Sequence, residues 1–129
     1  MNTMYRCAFA TLVAAALIAP AAAQVQRNFP QNALRGAIVV GTPPEIALND
    51  RPARLAPGAR IRNVANMIEL SGALTGQRLL VNYTIDPYGL VKDVWILRAD
   101  EAAVQPWPTT PEQAQRWAFD PLKQSWAKP

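Results

Sequence analysis

A hairpin in the second half of the chain constrains the fold more than any other sequence feature. Residues 78–86 alternate regularly, so one face of a strand carries four large apolar side chains, Leu79, Val81, Tyr83 and Ile85. The tetrapeptide Asp86-Pro87-Tyr88-Gly89 has the residue preferences of a type I turn. Residues 90–97 alternate again and provide the return strand. The pattern predicts an antiparallel hairpin at the centre of the fold.

The segments on either side of this hairpin predict further short strands and one helix. Residues 37–40 are a β-branched run between two glycines, and Asn49-Asp50 joins two short segments as a tight turn would. Near the C-terminus, Thr110 and Gln113 have the spacing of a helix capping box, with Pro111 at the first helical position. The sequence therefore predicts an α+β fold, a mainly antiparallel β-sheet of short strands and hairpins with a short C-terminal helix.

Residues 1–23 predict a secretory signal peptide, which places the working protein outside the cytoplasm. Arg6 precedes an apolar run over residues 7–18, and Ala21-Ala22-Ala23 provides a small-residue cleavage pattern before Gln24. The run is shorter than the roughly 20 apolar residues of a membrane-spanning helix; an uncleaved N-terminal anchor is the alternative.

The rest of the chain divides into two parts. Residues 24–35 are polar and without clear periodicity, which predicts a flexible N-terminal arm. Residues 36–129 have the length of one small domain, and their pattern predicts that it is rich in β-structure.

Two residue types that carry much enzyme chemistry are scarce. The chain has no histidine, and its one cysteine, Cys7, lies within the predicted leader. These absences argue against Ser-His-Asp and Cys-His catalysis and against most zinc sites, so neither a metal nor a cofactor is expected. Because the predicted mature chain cannot form a disulfide, packing alone must stabilise it.

Acid–base chemistry would therefore rest on carboxylates, of which four lie close in the sequence: Asp86, Asp93, Asp100 and Glu101. Asp86 is explained by the turn that it begins, where its side chain can accept backbone hydrogen bonds. A glycosidase-like site needs two carboxylates that face each other across a cleft. A small carboxylate-dependent hydrolase is the alternative function that the sequence leaves open.

The candidates for partner contact are cationic and aromatic. The net charge of +4 falls to +3 when Arg6 leaves with the leader, and arginine is concentrated in residues 51–62. Such a cationic face suits an anionic envelope component or a protein partner, or it is an ordinary solvated surface. Trp95 and Trp117 are expected in the core, whereas Trp107 lies between prolines and is the better binding candidate. The predicted partner-binding residues are Trp107, Arg51, Arg54, Arg60 and Arg62.

Residues 76–100, GQRLLVNYTIDPYGLVKDVWILRAD, resemble the central hairpin of TonB C-terminal-type periplasmic domains. In that family a glycine precedes a strand, an Ile-Asp-x-x-Gly turn follows, and a Val-x-x-Val strand returns. RWAFDP, residues 116–121, is similar to the end of the family's helix. The chain departs from the family at Pro106, Pro108 and Pro111, where an acidic and alanine-rich helix start is usual. The resemblance implies an α+β envelope domain that pairs with a partner's strand, and it does not imply energy transduction.

Together these features predict a small, exported, non-enzymatic protein of the periplasm that binds an envelope protein partner through a sheet edge. Strand addition uses main-chain hydrogen bonds, so it suits a chain without a side-chain motif. A structural subunit of an envelope assembly is a further alternative. Nucleic acid is not expected as a ligand, because basic and aromatic residues do not interleave. No stable membrane span is expected after cleavage, and the oligomeric state is left open.

The proteolytic processing of the exported protein tests the prediction of a signal peptide. The exported protein should begin at Gln24, because cleavage follows the small residues Ala21 to Ala23. The intact mass of protein recovered from the envelope fraction measures this directly. A mass that still includes residues 1–23 would contradict cleavage and favour the anchored form.

Overall fold

The computed structural model describes residues 25–129, and the predicted leader over residues 1–23 lies outside the described residues. The strands are β1 (Leu34–Val40), β2 (Glu45–Leu48), β3 (Arg51–Arg62), β4 (Ile68–Glu69), β5 (Arg78–Ile85), β6 (Val91–Ile96), β7 (Ala118–Asp120) and β8 (Ser125–Ala127). The helices are α1 (Ala99–Ala102) and α2 (Pro111–Arg116), and a 3₁₀ turn covers Ser71–Leu74.

Five of these strands close into a barrel. Its order is β1-β5-β6-β3-β2, and β2 pairs back onto β1. The pairing of β3 with β6 is parallel, whereas the other four pairings around the ring are antiparallel. The expected mainly antiparallel sheet is therefore wrong, because the strands form a closed, mixed barrel. The physical reason is that β3 is long enough to pair with β2 along its first half and with β6 along its second.

Local turn chemistry explains the two hairpins of the barrel. Asn49 and Asp50 have positive φ angles of 52° and 66°, and they join β2 to β3. Asp86 Oδ1 accepts hydrogen bonds from the N–H groups of Tyr88 and Leu90, both at 2.9 Å, which fixes the turn between β5 and β6. The hairpins predicted at these two places are confirmed.

The interior of the barrel is apolar. One row of paired residues crosses β1, β5, β6 and β3, and each is at most 4 % exposed: Leu34, Tyr83, Val94 and Ile61. Gly36 allows close packing beside this row, since a Cβ there would lie 2.9 Å from both Asn49 Oδ1 and a ring carbon of Tyr83. Burial also raises the pKa of Tyr83.

An extension of the hydrophobic core covers the outside of the barrel. It is an aromatic cluster whose neighbouring ring centroids lie 4.7 to 6.2 Å apart: Phe29, Trp95, Trp107, Phe119 and Trp126. We call residues 25–33 the N-terminal strap. Within the described part of the predicted flexible arm, three residues of the strap are buried: Arg27, Phe29 and Ala33.

The predicted helix cap is confirmed, but the helix is not the last element. The Thr110 hydroxyl accepts a hydrogen bond from the Gln113 N–H at 3.3 Å, and Pro111 opens α2. The antiparallel hairpin β7–β8 follows α2 and supplies Phe119 and Trp126 to the aromatic cluster.

Replacing Ile38 with alanine tests the assignment of the barrel interior. Ile38 is 2 % exposed, so the substitution leaves a cavity and should lower the free energy of unfolding by about 2–5 kcal/mol. Denaturation in urea measures the change.

The matched control is Leu80→Ala on β5, where the side chain is 45 % exposed. This change should stay within about 0.5 kcal/mol. Equal losses in the two variants would contradict the assignment.

Candidate protein-binding surface

One row of paired residues on the outside of the barrel is polar and aromatic. Its members lie one after another across β1, β5, β6 and β3: Arg35, Asn82, Trp95 and Arg62. Each adjoins in sequence a member of the apolar interior row, so strand alternation turns it outward. The Arg62 guanidinium lies 5.3 Å from the centroid of the Trp95 ring and donates to Asp93 at 3.4 Å.

Arg35 in this row is buried and engaged by the protein itself. Its Nη1 donates to the carbonyl of Val104 at 2.6 Å, and its Nε donates to Asn82 Oδ1 at 3.2 Å. The guanidinium lies 4.9 Å from the centroid of the Trp107 ring. Desolvation lowers the pKa of Arg35 to about 10, partly opposed by the charge of Glu101, so the group is charged at neutral pH. Arg35 therefore fastens the segment after α1 to the barrel.

A second buried arginine ties the N-terminal strap in place. Arg27 Nε donates to Glu101 Oε2 at 2.8 Å, and Nη2 donates to the other carboxylate oxygen. Nη2 also donates to the Ile96 carbonyl at 2.7 Å, and Nη1 to the Asn63 carbonyl at 3.0 Å. The Arg27 and Glu101 side chains are 6 % and 7 % exposed. This ion pair joins the strap to α1, to the end of β6 and to the turn before β4.

That turn carries an exposed apolar surface. Four large side chains within seven consecutive residues are 47 % to 78 % exposed: Val64, Met67, Ile68 and Leu70. We call these four residues the β4 patch. Ile68 and Leu70 line a groove of about 390 Å³ whose walls also include Pro44, Leu55, Ala59 and Ile61. Single exposed apolar residues are ordinary, but Ile68 and Leu70 line the same groove, which marks a candidate contact surface.

Asn63 holds the backbone that presents the β4 patch. Its Oδ1 accepts from the N–H groups of Ala65 and Met67, both at 3.0 Å, and its Nδ2 donates to Glu69 Oε1 at 2.9 Å. Asn66 supplies the positive φ of 63° that the turn requires. The patch is therefore displayed on a turn with defined hydrogen bonds. β4 itself pairs with β3 and, within residues 25–129, with no other strand.

The structure does not gather the four predicted arginines on one face. Arg51 and Arg54 are exposed in the first half of β3, and their positions differ by an odd number, so they point to opposite sides. Arg62 is half-buried against Trp95 and Asp93. Arg60 is exposed, and strand alternation places it on the same side of β3 as Arg62. Arg62 lies opposite Ile68 in the pairing of β3 with β4. Only Arg60, among the four, is both exposed and beside the β4 patch.

Trp107 lies in the core, not at the surface expected for a binding residue. It is 6 % exposed, and its indole N–H donates to the Ala33 carbonyl at 3.0 Å. Its ring contacts Phe29, Phe119 and Trp126. Trp95 and Trp117, which are expected in the core, are half-buried beside it.

The four clustered carboxylates each have cationic or hydrogen-bond donor groups as partners. Asp86 caps its turn, and Asp93 accepts from Arg62 and from the Thr84 hydroxyl, both at 3.4 Å. Glu101 pairs with Arg27. A hydrogen bond from Arg98 lowers the pKa of Asp100. These contacts account for the carboxylates as turn caps and ion-pair partners.

No protein-family model matches this chain, and neither does any curated protein or solved structure. Within residues 25–129, none of the helices is both long enough and apolar enough to cross a bilayer. The candidate surface therefore rests on the geometry of the described residues.

Sequence reasoning missed the β4 patch. Residues 64–70 are ambiguous between a strand and a helical turn, and Met67 alone suggests a core residue that fills a gap. The available signal was the pair Asn63 and Asn66, because asparagine favours turns and positive φ. A turn there would have placed the flanking apolar residues at the surface.

Removing one partner of the Arg27–Glu101 pair should destabilise the fold strongly. Glu101→Ala leaves a buried guanidinium without its carboxylate, so the free energy of unfolding should fall by about 3–5 kcal/mol. Denaturation in guanidinium chloride at neutral pH measures the loss.

The control is the exposed pair Arg78–Asp50, whose side chains are 59 % and 77 % exposed. Arg78→Ala should cost no more than about 1 kcal/mol through the lost pair. A loss for Glu101→Ala as small as this would show that the strap is not held by the ion pair.

Proposed function

We propose that this chain is a non-enzymatic binding protein of the cell envelope, and that the β4 patch takes an extended apolar segment of a protein partner. The periplasmic location rests on the leader predicted over residues 1–23. The observation that supports binding is the β4 patch, four exposed apolar side chains held by the hydrogen bonds of Asn63.

The geometry of β4 favours a partner in extended conformation. The five barrel strands have their edges paired around the ring, whereas β4 pairs on one side with β3. A partner strand can therefore add to the free side of β4, with its main chain bonded to β4 and its side chains on the patch. Because β4 has two residues, it offers few main-chain hydrogen bonds to a partner strand. The apolar contacts therefore supply most of the binding energy, and the main-chain hydrogen bonds set the orientation of the partner strand.

The charge of Arg60 indicates a further property of the proposed partner. Within residues 25–129, Arg60 has neither an ion-pair nor a hydrogen-bond partner for its guanidinium, and it lies beside the patch. An acidic residue in the partner next to its apolar residues would complement Arg60. The proposed partner is thus an apolar segment that carries Asp or Glu.

The variant Ile68→Lys should abolish partner binding. Ile68 is 61 % exposed, so the fold tolerates lysine there, while the added charge opposes burial in an apolar interface. Cross-linking in intact cells, followed by mass spectrometry of the captured proteins, identifies the partner, and its affinity for purified variants is then measured. A decrease of at least about tenfold is expected.

Leu122→Lys is the matched control, because Leu122 is an apolar residue outside the patch that is 87 % exposed. It should leave binding unchanged. Arg60→Glu should weaken binding and reduce its dependence on salt. Equal binding by the wild type and Ile68→Lys, or the absence of any captured partner, would contradict the proposal.

A further inference from the structure

We propose that the β4 patch pairs with the β4 patch of a second copy of this chain, and that this pairing competes with the partner segment. The inference rests on the proposed function, because it concerns what covers the same surface when the partner is absent. The two copies would meet as antiparallel strands, so that β3 and β4 of each copy form one continuous sheet. Binding of the partner then requires the two copies to separate.

The main-chain groups of Ile68 point away from β3. The Asn63 N–H donates to the Met67 carbonyl at 2.8 Å, and the next pair along the two strands is Arg62 with Ile68. Hydrogen-bonded and non-hydrogen-bonded pairs alternate in an antiparallel ladder, so Arg62 and Ile68 form a non-hydrogen-bonded pair. The N–H and C=O of Ile68 are therefore directed to the open side of β4, where no strand of residues 25–129 pairs. A second strand can accept from one group and donate to the other.

The segment over residues 67–70 is complementary to itself. Two identical antiparallel strands are related by a two-fold axis, so every contact across the axis is made twice. Met67 and Ile68 are 65 % and 61 % exposed, so a second copy has a large part of each apolar side chain to bury. An exposed apolar edge strand is a template for pairing with another chain, and lysine or proline commonly blocks it. Residues 67–70 contain neither lysine nor proline, so the edge is open to a second copy.

The charge of Glu69 determines the register of the pairing. The extended segment is short: Ile68 and Glu69 form β4, and Leu70 continues it with a φ of −78° and a ψ of 134°. A two-fold axis at Glu69 would place two carboxylates directly opposite each other, which is destabilising. An axis at Ile68 instead places each Glu69 opposite Met67 of the second copy. It also places Ile68 opposite Ile68, where the outward main-chain groups of both copies can bond to each other.

Electrostatics distinguishes the second copy from the proposed partner. In this register Glu69 of the second copy lies on the opposite face of the sheet from Arg60, because strand alternation puts Arg60, Ile68 and Leu70 on one face and Glu69 on the other. Arg60 therefore gains no ion pair in the dimer, whereas an acidic partner segment supplies one. The two copies also repel each other, since each carries a net charge of +3 without the leader. Salt should thus strengthen the dimer and weaken the partner complex.

Single-cysteine variants test the pairing and its register. In a Cys7→Ser background an introduced cysteine is the only thiol of the chain. Ile68→Cys places two thiols at the axis, where the Cα atoms of a hydrogen-bonded pair lie about 5.5 Å apart, within the range of a disulfide. Mild oxidation should therefore give a covalent dimer. Leu70→Cys is the matched control, because Leu70 is 78 % exposed in the same patch, but its two Cα atoms would lie about 14 Å apart, which is too far.

Sedimentation equilibrium measures the reversible dimer of the wild type. The contact is small, so a dissociation constant of roughly 10–100 μM is expected, and it should be lower in about 500 mM than in about 50 mM NaCl. Ile68→Lys should abolish the dimer, whereas Leu122→Lys and Arg60→Glu should not weaken it.

A monomer at all concentrations up to about 1 mM, equal cross-linking of the two cysteine variants, or a dimer that survives Ile68→Lys would each overturn this inference. The two proposals fail separately. A captured partner whose binding needs Ile68, without any dimer, would overturn the inference and leave the proposed function in place. A dimer with the expected register, without any captured partner, would support the inference and contradict the proposed function.

Discussion

The parallel pairing of β3 with β6 is the constraint on which the rest of the structure depends. β1 pairs with both β2 and β5, β2 pairs with β3, and β5 pairs with β6, so the pairing of β3 with β6 closes these strands into a ring. Closure of the ring encloses the apolar row that includes Val94 and Ile61 in the barrel interior. It also removes the free edges of five strands, which leaves β4 as an edge outside the ring.

Closure of the barrel has a second consequence. Because side chains alternate along a strand, every second residue points away from the barrel interior. The outer row, Arg35, Asn82, Trp95 and Arg62, contains one large aromatic ring, that of Trp95, which packs against the Phe29 ring at a centroid distance of 5.6 Å. The strap, α1 and the β7–β8 hairpin cover it, and the two buried arginines position that cover. Arg27 bonds to Glu101 and to two carbonyls, and Arg35 bonds to the segment after α1. A buried ion pair adds little net stability compared with apolar packing, but it fixes which surfaces meet.

Local features of the fold could be predicted from the sequence, and long-range ones could not. The turns at Asn49-Asp50 and Asp86–Gly89 and the cap at Thr110 depend on neighbouring residues, and the structure has all three. The pairing of β3 with β6 joins segments about thirty residues apart, and no local pattern distinguishes a parallel partner from an antiparallel one. The strap appears unstructured in sequence because Arg27 is polar. Its burial depends on Glu101, which is 74 residues away. For the same reason the sequence favours Trp107 as a binding residue, since its aromatic neighbours come from distant parts of the chain.

The strap also affects the order in which contacts form during folding. Phe29 N–H donates to Gln124 Oε1 at 2.8 Å, across 95 residues of sequence, and Arg27 reaches Glu101 across 74. Contacts of such high contact order form slowly, because a long loop must close before they are made. In a chain synthesised from its N-terminus, residues 25–33 are made early and find their partners last. A chain interrupted before Gln124 would lack Trp126, so the Trp107 ring stays without this aromatic contact until β8 is made.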